Sequence, residues 1–319
     1  MALQSIGLIG LGNAGGPIGE RLLQKGYKLK VYDTNKAAID ALVKQGATGV
    51  DSPGATVSDV TFTVVPGSPE VRQSVFGPKG VLEKMKPGHV LIDLSGTDPL
   101  CAREVQAAMA PTQAGFLGGT IHAAGAPAAT IPQGLLSLVI GGDRAVFDRC
   151  TPLLQDLAQT LIYVPEPHIP KAIKIAVIML ATANTVMLAE ICSWLEAQNI
   201  DPKHYLRVQQ INGSDGAGRI ETFFRRSKSY GGALNNSYKD LRQALETAPE
   251  LGIDLPLPFT ALAHQIQEMG RAKGFNRLNS PAAIGKLYEI LTGINLDRAT
   301  IEKAERQFEE PHEPQIHYL

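Results

Sequence analysis

The sequence predicts an α/β chain: a doubly wound, mostly parallel sheet in the N-terminal half, followed by an all-α C-terminal domain. Two observations predict it. Short apolar runs alternate with helical stretches from residue 5 to residue 164, the pattern of successive βαβ units. Beyond Pro165 the strand signals stop and long helical patterns take over. A third observation says what the sheet is for. The first apolar run, Ile6 to Leu11, breaks into Gly10-x-Gly12-x-x-Gly15, and a helix follows.

That turn marks the first domain as Rossmann-type. Gly10 permits the sharp exit from the strand. Gly12 has no Cβ, so the backbone can approach a pyrophosphate. Gly15 allows close packing of helix on sheet. The helix start then offers N–H groups and a positive dipole end to the phosphates. Gly10, Leu11, Gly12, Asn13, Ala14 and Gly15 are therefore the expected cofactor-binding turn. A chain with 32 glycines contains such spacings by chance, so context decides. A helix from Ile18 to Lys25 and a second strand, Leu29 to Tyr32, follow in order. Asp33 closes that strand 18 residues after Gly15. A carboxylate there hydrogen-bonds the ribose hydroxyls and repels a 2′-phosphate. NAD is the expected cofactor and NADP the lesser alternative, with Lys36 the nearby cation that keeps it open.

The remaining elements read in sequence. Lys36 to Gln45 is helical and closed by Gly46. Val60 to Val65 is a strand ended by Pro66-Gly67. Val71 to Phe76 is a short helix and Val90 to Leu94 a strand. Pro99 to Met109 is a helix, and Gly115-Phe116-Leu117 opens another strand. Leu135 to Ile140 is a strand, Ala145 to Leu157 a helix, and Thr160 to Val164 the last strand. Pro165 to Pro170 is a stiff connection. Helices are then expected over Lys171 to Gln198, Pro202 to Ile211, Tyr238 to Leu251, Leu257 to Ala272 and Pro281 to Leu291. The expected domains are 1–164 for the dinucleotide, 165–295 for substrate and dimerisation, and a peripheral tail over 296–319.

Composition bounds the function. With 319 residues, 44% of them hydrophobic and 19% charged, two ordinary globular domains are expected. A net charge of −1 gives no bulk attraction to nucleic acid or to an anionic membrane. Cys101, Cys150 and Cys192 fit no paired or metal-binding spacing, so no metal site is expected and buried thiols in a reducing cytoplasm are. The N-terminus runs directly into the first strand, which leaves no room for a leader. The uncharged run Ile175 to Ala189 has 15 residues, short of the roughly 20 that span a bilayer.

This layout resembles the β-hydroxyacid dehydrogenases, the family of 3-hydroxyisobutyrate dehydrogenase and tartronate semialdehyde reductase. Four landmarks carry the resemblance across nearly the whole chain. They are the Gly10–Gly15 turn, Asp93-Leu94-Ser95-Gly96-Thr97-Asp98-Pro99, Lys174 ten residues after Val164, and Tyr238-Lys239-Asp240-Leu241. The resemblance implies hydride transfer between NAD(H) and a hydroxyl or carbonyl of a small molecule. It places Val65, Pro66 and Ser95 beside the dinucleotide, and Lys239 on its nicotinamide side from the helical domain. It also implies a homodimer or homotetramer.

Lys174 is the expected catalytic residue. Reduction of a carbonyl by hydride leaves an alkoxide that a nearby ammonium can protonate, and the neutral amine can take the proton back. That role asks for a lysine whose pKa is lowered by burial. The bland alternative is an exposed lysine at a helix start. Lys171, one turn earlier, is expected at the rim, and Asp240 is expected to orient Lys239 or cap a helix.

The substrate end departs from the family. Where the family carries D-A-P-V-S-G-G, this chain has Gly118-Gly119-Thr120-Ile121-His122-Ala123-Ala124-Gly125. Where an asparagine should follow the lysine stands Val177. His122, Ala123, Ala124 and Val177 are thus the expected substrate-binding residues, suited to an atypical or bulkier substrate. His122 can be read as a binder of an acidic group, as a proton partner of Lys174, or as a loop histidine satisfied by backbone. Asn184, Asn212 and Ser214 are further polar residues that could face a cleft. Two rival functions stay open: an NADP-linked imine reductase, and a dinucleotide-binding protein without turnover.

Overall fold

The computed structural model describes residues 4–123, 130–211, 233–250 and 257–294. The chain divides into two compact units, Met1–Val177 and Ile178–Leu319.

The first unit is a single eight-stranded sheet in the order β3-β2-β1-β4-β5-β6-β7-β8. The strands are β1 Ser5–Ile9, β2 Lys28–Tyr32, β3 Thr48–Gly49, β4 Val60–Thr63, β5 Val90–Asp93, β6 Gly115–Ala123, β7 Leu136–Gly142 and β8 Ala158–Val164. All neighbours pair in parallel except β6 and β7, which run antiparallel from Leu117↔Gly142 to Ala123↔Leu136. Helices α1 Gly15–Gln24, α2 Lys36–Val43, α3 Ser68–Phe76, α4 Pro99–Met109 and α5 Arg144–Leu157 connect them. The central strands β1, β4 and β5, and β7, are buried on both faces because helices cover both, whereas β2, β3 and β8 keep exposed positions. Ile6, Leu8, Phe62, Ile92 and Leu138 pack with α1 and α5 residues, whereas Ile9 and Leu91 pack with Val71, Val75, Val105 and Met109.

Helix starts follow their capping residues. The Asn35, Asp98 and Asp143 side chains accept the N–H groups of Ala37, Cys101 and Val146, so α2, α4 and α5 begin where the sequence supplies an N-cap. No such side-chain cap serves α1, whose N-cap is Ala14.

Beyond β8 comes α6, Ile169–Glu196, a 28-residue helix. By length and composition alone it would suffice to cross a membrane. Its first turns belong to the sheet unit, which continues through Val177. The second unit adds α7 Lys203–Ile211, α8 Leu234–Glu250, α9 Pro258–Ala272 and α10 Ser280–Thr292. Its core joins Leu188, Ala189 and Cys192 of α6 to Leu234, Leu241, Ala263 and Ile284. Among its described residues, β structure is confined to one bridge between Ala233 and Asn279.

Candidate active site

The glycine turn has the form its three glycines require. Gly10 sits at φ +89°, and a Cβ there would run into the Val64 carbonyl. A Cβ at Gly15 would overlap the carbonyl oxygen of Gly10, so close packing of the turn on itself demands this glycine. A Cβ at Gly12 would meet nothing within 4 Å, which leaves open space where a phosphate would approach. Together with the uncapped start of α1, these features fit a dinucleotide pyrophosphate.

Asp33 is tied to that turn. Its Oδ2 accepts the Leu11 N–H at 2.6 Å, and its Oδ1 accepts the Asn35 N–H at 2.7 Å. Its charge is thus held at the end of β2 beside the loop after β1. Lys36, the cation that left NADP open, pairs with Asp40 one turn along its own helix at 2.8 Å.

The next loops are joined by a buried network. Ser95, 1% exposed, accepts the Val65 N–H on its Oγ at 3.0 Å. The Asp93 Oδ1 accepts the Thr63 hydroxyl at 2.8 Å and the Ser95 N–H at 3.0 Å. Val65 and Ser95 therefore share one platform at the C-terminal ends of β4 and β5, where open parallel sheets bind their ligands.

Lys171 is the main correction to the sequence reading. It is fully buried, not at the rim. Its Nζ lies 2.8 Å from Asp93 Oδ2 and donates to the carbonyls of Asp93, Ser95 and Gly119 at 3.0, 2.9 and 2.8 Å. An ammonium away from water needs both a counter-ion and acceptors, and this one has them. Its partners lie 52 to 78 residues away in sequence, so no local pattern could reveal them.

Lys174 lies one turn further along α6, with its Nζ 3.4 Å from the Ile121 carbonyl of β6. The next residue on that strand is His122. It is a strand residue paired with Ser137 and not a loop histidine, and its Nε2 lies 3.2 Å from the Thr120 Oγ1. Burial, and secondarily the Lys174 charge, hold the His122 imidazole below its usual range. Both effects favour the neutral ring. Ala123 ends β6, and Val177, 46% exposed, lies one turn beyond Lys174. Ala124, Asn212 and Ser214 lie outside the described residues. Lys239 stands on α8 in the second unit, 3.3 Å from the carboxylate of Asp240. Asp240 lies in the second turn of α8, so it faces Lys239 and is not an N-cap.

Residues 5–165 match the family model described as the NAD binding domain of 6-phosphogluconate dehydrogenase. Residues 170–287 match the one described as NAD-binding of NADP-dependent 3-hydroxyisobutyrate dehydrogenase. The chain is 31% identical over 302 residues to 2-(hydroxymethyl)glutarate dehydrogenase of Eubacterium barkeri, covering 91% of this chain and 97% of that enzyme. Among solved structures it is similar to the Mycobacterium tuberculosis 3-hydroxyisobutyrate dehydrogenase with L-serine. There the TM-score is 0.77 at 22% identity, over 90% of this chain and 99% of that one. An imine reductase variant from Myxococcus stipitatus in complex with NAD+ gives a TM-score of 0.61 at 19% identity, over 90% and 99% of the two chains.

Proposed function

The chain belongs to the β-hydroxyacid dehydrogenase family, and from that premise we propose which residues carry its reaction and which coenzyme and substrate it takes. It is an NAD(P)-dependent oxidoreductase acting on the hydroxyl or carbonyl of a small molecule. When bound, the nicotinamide supplies or accepts the hydride. Lys174 handles the proton: as the ammonium it gives a proton to the oxygen of a carbonyl being reduced, and as the amine it removes one from a hydroxyl being oxidised. The observation that carries this is the place of Lys174, on the first turns of α6 with its Nζ against the end of β6. An imine reductase shares the fold at 19% identity, whereas the dehydrogenase relative shares 31% of its residues along nearly its whole length.

NAD(H) is the coenzyme in this reading. Asp33 would face a 2′-phosphate with like charge. Gly10, Leu11, Gly12, Asn13, Ala14 and Gly15 hold the pyrophosphate, Val65, Pro66 and Ser95 flank the nicotinamide half, and Lys239 is the further coenzyme lysine that the family resemblance implies.

The substrate is a hydroxy or keto compound larger or less polar than 3-hydroxyisobutyrate. A neutral His122 and an apolar Val177 beside Lys174 support this, because neither supplies charge to a small carboxylate. The test is a panel of small hydroxyacids, semialdehydes and bulkier alcohols with NAD(H) and NADP(H), followed at the nicotinamide absorbance. Activity confined to NADP(H), or to imines, would overturn the reading.

A homo-oligomer is part of the same proposal. On α6, Leu180, Met187 and Trp194 recur every seven residues and are 61%, 50% and 66% exposed, a seam suited to another helix. Light scattering that finds only monomer at micromolar concentration would exclude it. Three free, buried cysteines support a cytoplasmic setting, which fractionation of the source cells would check.

A further inference from the structure

Two lysines stand one helical turn apart at the start of α6, and only one of them can reach a ligand. Lys171 has no solvent exposure, and its Nζ faces four oxygens at 2.8 to 3.0 Å. Those oxygens come from three places: the Asp93 side chain and carbonyl at the end of β5, the Ser95 carbonyl in the turn after it, and the Gly119 carbonyl on β6. Three N–H groups serve four acceptors, so the ammonium is saturated and fixed in direction.

The same Asp93 holds the Thr63 hydroxyl and the Ser95 N–H, and Ser95 in turn holds the Val65 N–H. One connected set of hydrogen bonds thus runs from the loop after β4, through the turn after β5, to the first turn of α6. Strand β6 is then gripped twice by that helix, by Lys171 at Gly119 and by Lys174 at Ile121. Two strand residues span roughly 7 Å and three helical residues about 4.5 Å of rise, so both grips together fix the helix axis against the strand. Two glycines let the preceding connection lie flat on the strand ends. A Cβ at Gly118 would overlap the Pro167 carbonyl, and one at Gly141 the Glu166 carbonyl.

We propose that Lys171 is a positioning residue for hydride transfer: its ammonium, locked on Asp93, Ser95 and Gly119, sets where Lys174 stands relative to the Val65 and Ser95 loops. The inference rests on the assignment of Lys174 as the residue that handles the proton. A displacement of about 1 Å at a reacting group can cost about a hundredfold in rate, so loosening this joint is felt at Lys174 without any contact to substrate.

The experiment compares K171M, the double variant D93N/K171M and K174M in the full-length enzyme. Circular dichroism and thermal melting report folding. Steady-state kinetics with NADH and with 4-deuterated NADH report the chemical step, and fluorescence titration reports coenzyme binding. K171M leaves Asp93 charged and buried, so the double variant, which removes both charges, carries the test if the single one does not fold. The expected result for folded D93N/K171M is a kcat about 10- to 100-fold lower with a larger deuterium isotope effect, and a smaller change in NADH Kd. Wild-type kcat, or a lower kcat with an unchanged isotope effect, would reduce Lys171 to a purely structural part and overturn the proposal. K174M separates the two claims: a K174M enzyme with wild-type kcat overturns the role of Lys174 itself, whatever the Lys171 variants do.

Discussion

The Asp33 carboxylate accepts the N–H of Leu11 at 2.6 Å, so the residue that ends β2 also holds the turn that follows β1. The anion proposed to select the ribose is thereby tied to the glycine turn by one oxygen and to the Asn35 N–H by the other. NADH is expected to bind at least about tenfold more tightly than NADPH, a difference of about 1.4 kcal/mol. Asp33→Ala should narrow that gap. It should also weaken NADH itself, because a hydrogen bond to a charged group contributes about 1.5–3 kcal/mol. Fluorescence titration with both nucleotides decides it, and NADPH binding as tight as NADH would refute the assignment.

Lys174→Met keeps the length and apolar stem of the side chain and removes the proton carrier. The expected loss in kcat is about 10²- to 10⁴-fold, the usual range for general acid–base groups, with NADH affinity held within about threefold. A variant that loses NADH binding and kcat in equal measure would assign Lys174 to the coenzyme.

The His122 imidazole is held below its ordinary value of 6.5, first by burial and then by Lys174. Well above pH 6.5 the ring is neutral in folded and unfolded chains alike, so it adds no pH dependence there. As the pH falls below 6.5 the unfolded chain takes up the proton first, and stability declines until the lower folded-state value is passed. His168 and His264 are also lowered and act in the same sense. The contribution of His122 is therefore the difference between wild type and His122→Gln. As the pH falls below 6.5 the wild-type Tm should at first fall more steeply than that of the variant. Parallel melting curves would contradict the shift.

Val177→Asn places a polar group one turn from Lys174. Such a site gains hydrogen bonding for a small carboxylate, whereas an apolar wall discriminates by only about 1–3 kcal/mol per methylene. The variant should gain about tenfold in kcat/KM on 3-hydroxyisobutyrate and lose activity on bulkier substrates. If the wild type already works on 3-hydroxyisobutyrate at about 10⁴ M⁻¹s⁻¹ or better, the apolar reading of Val177 fails.

Gly118→Ala would force a methyl into the Pro167 carbonyl. Overpacking of this kind costs about 1–3 kcal/mol, and it should fall on the strap that leads into α6. Denaturant titration is expected to show the loss, while an unchanged midpoint would mean that the 165–170 connection shifts freely.

Much of this was legible in the residues. The glycine turn, Asp33 and the alternation of apolar runs with helical ones were local patterns, and the sheet bears out the alternation. The two-residue strand β3 was not, because Thr48-Gly49 is too short to show a period. Lys171 misled for a physical reason. A lysine beside prolines at a helix start is ordinarily solvated, and what buries this one is a ring of carbonyls brought together only by the tertiary fold. His122 misled in a smaller way. The loop histidine was one of its three readings, yet β6 runs on through His122 to Ala123, with Gly118 giving room to the chain that passes over it.

The reversed direction of β7 bears on how enzymes of this shape diversify. Because β6 and β7 run antiparallel, β6 ends and β7 begins on the same edge of the sheet as the coenzyme loops. In the described part of the segment between them, Ile131 is buried in the core of the sheet unit and the Pro132 carbonyl accepts a hydrogen bond from Arg21 of α1. The segment is therefore pinned to α1 at the same time as it borders the coenzyme edge, so an exchange of residues there is expected to be felt at both.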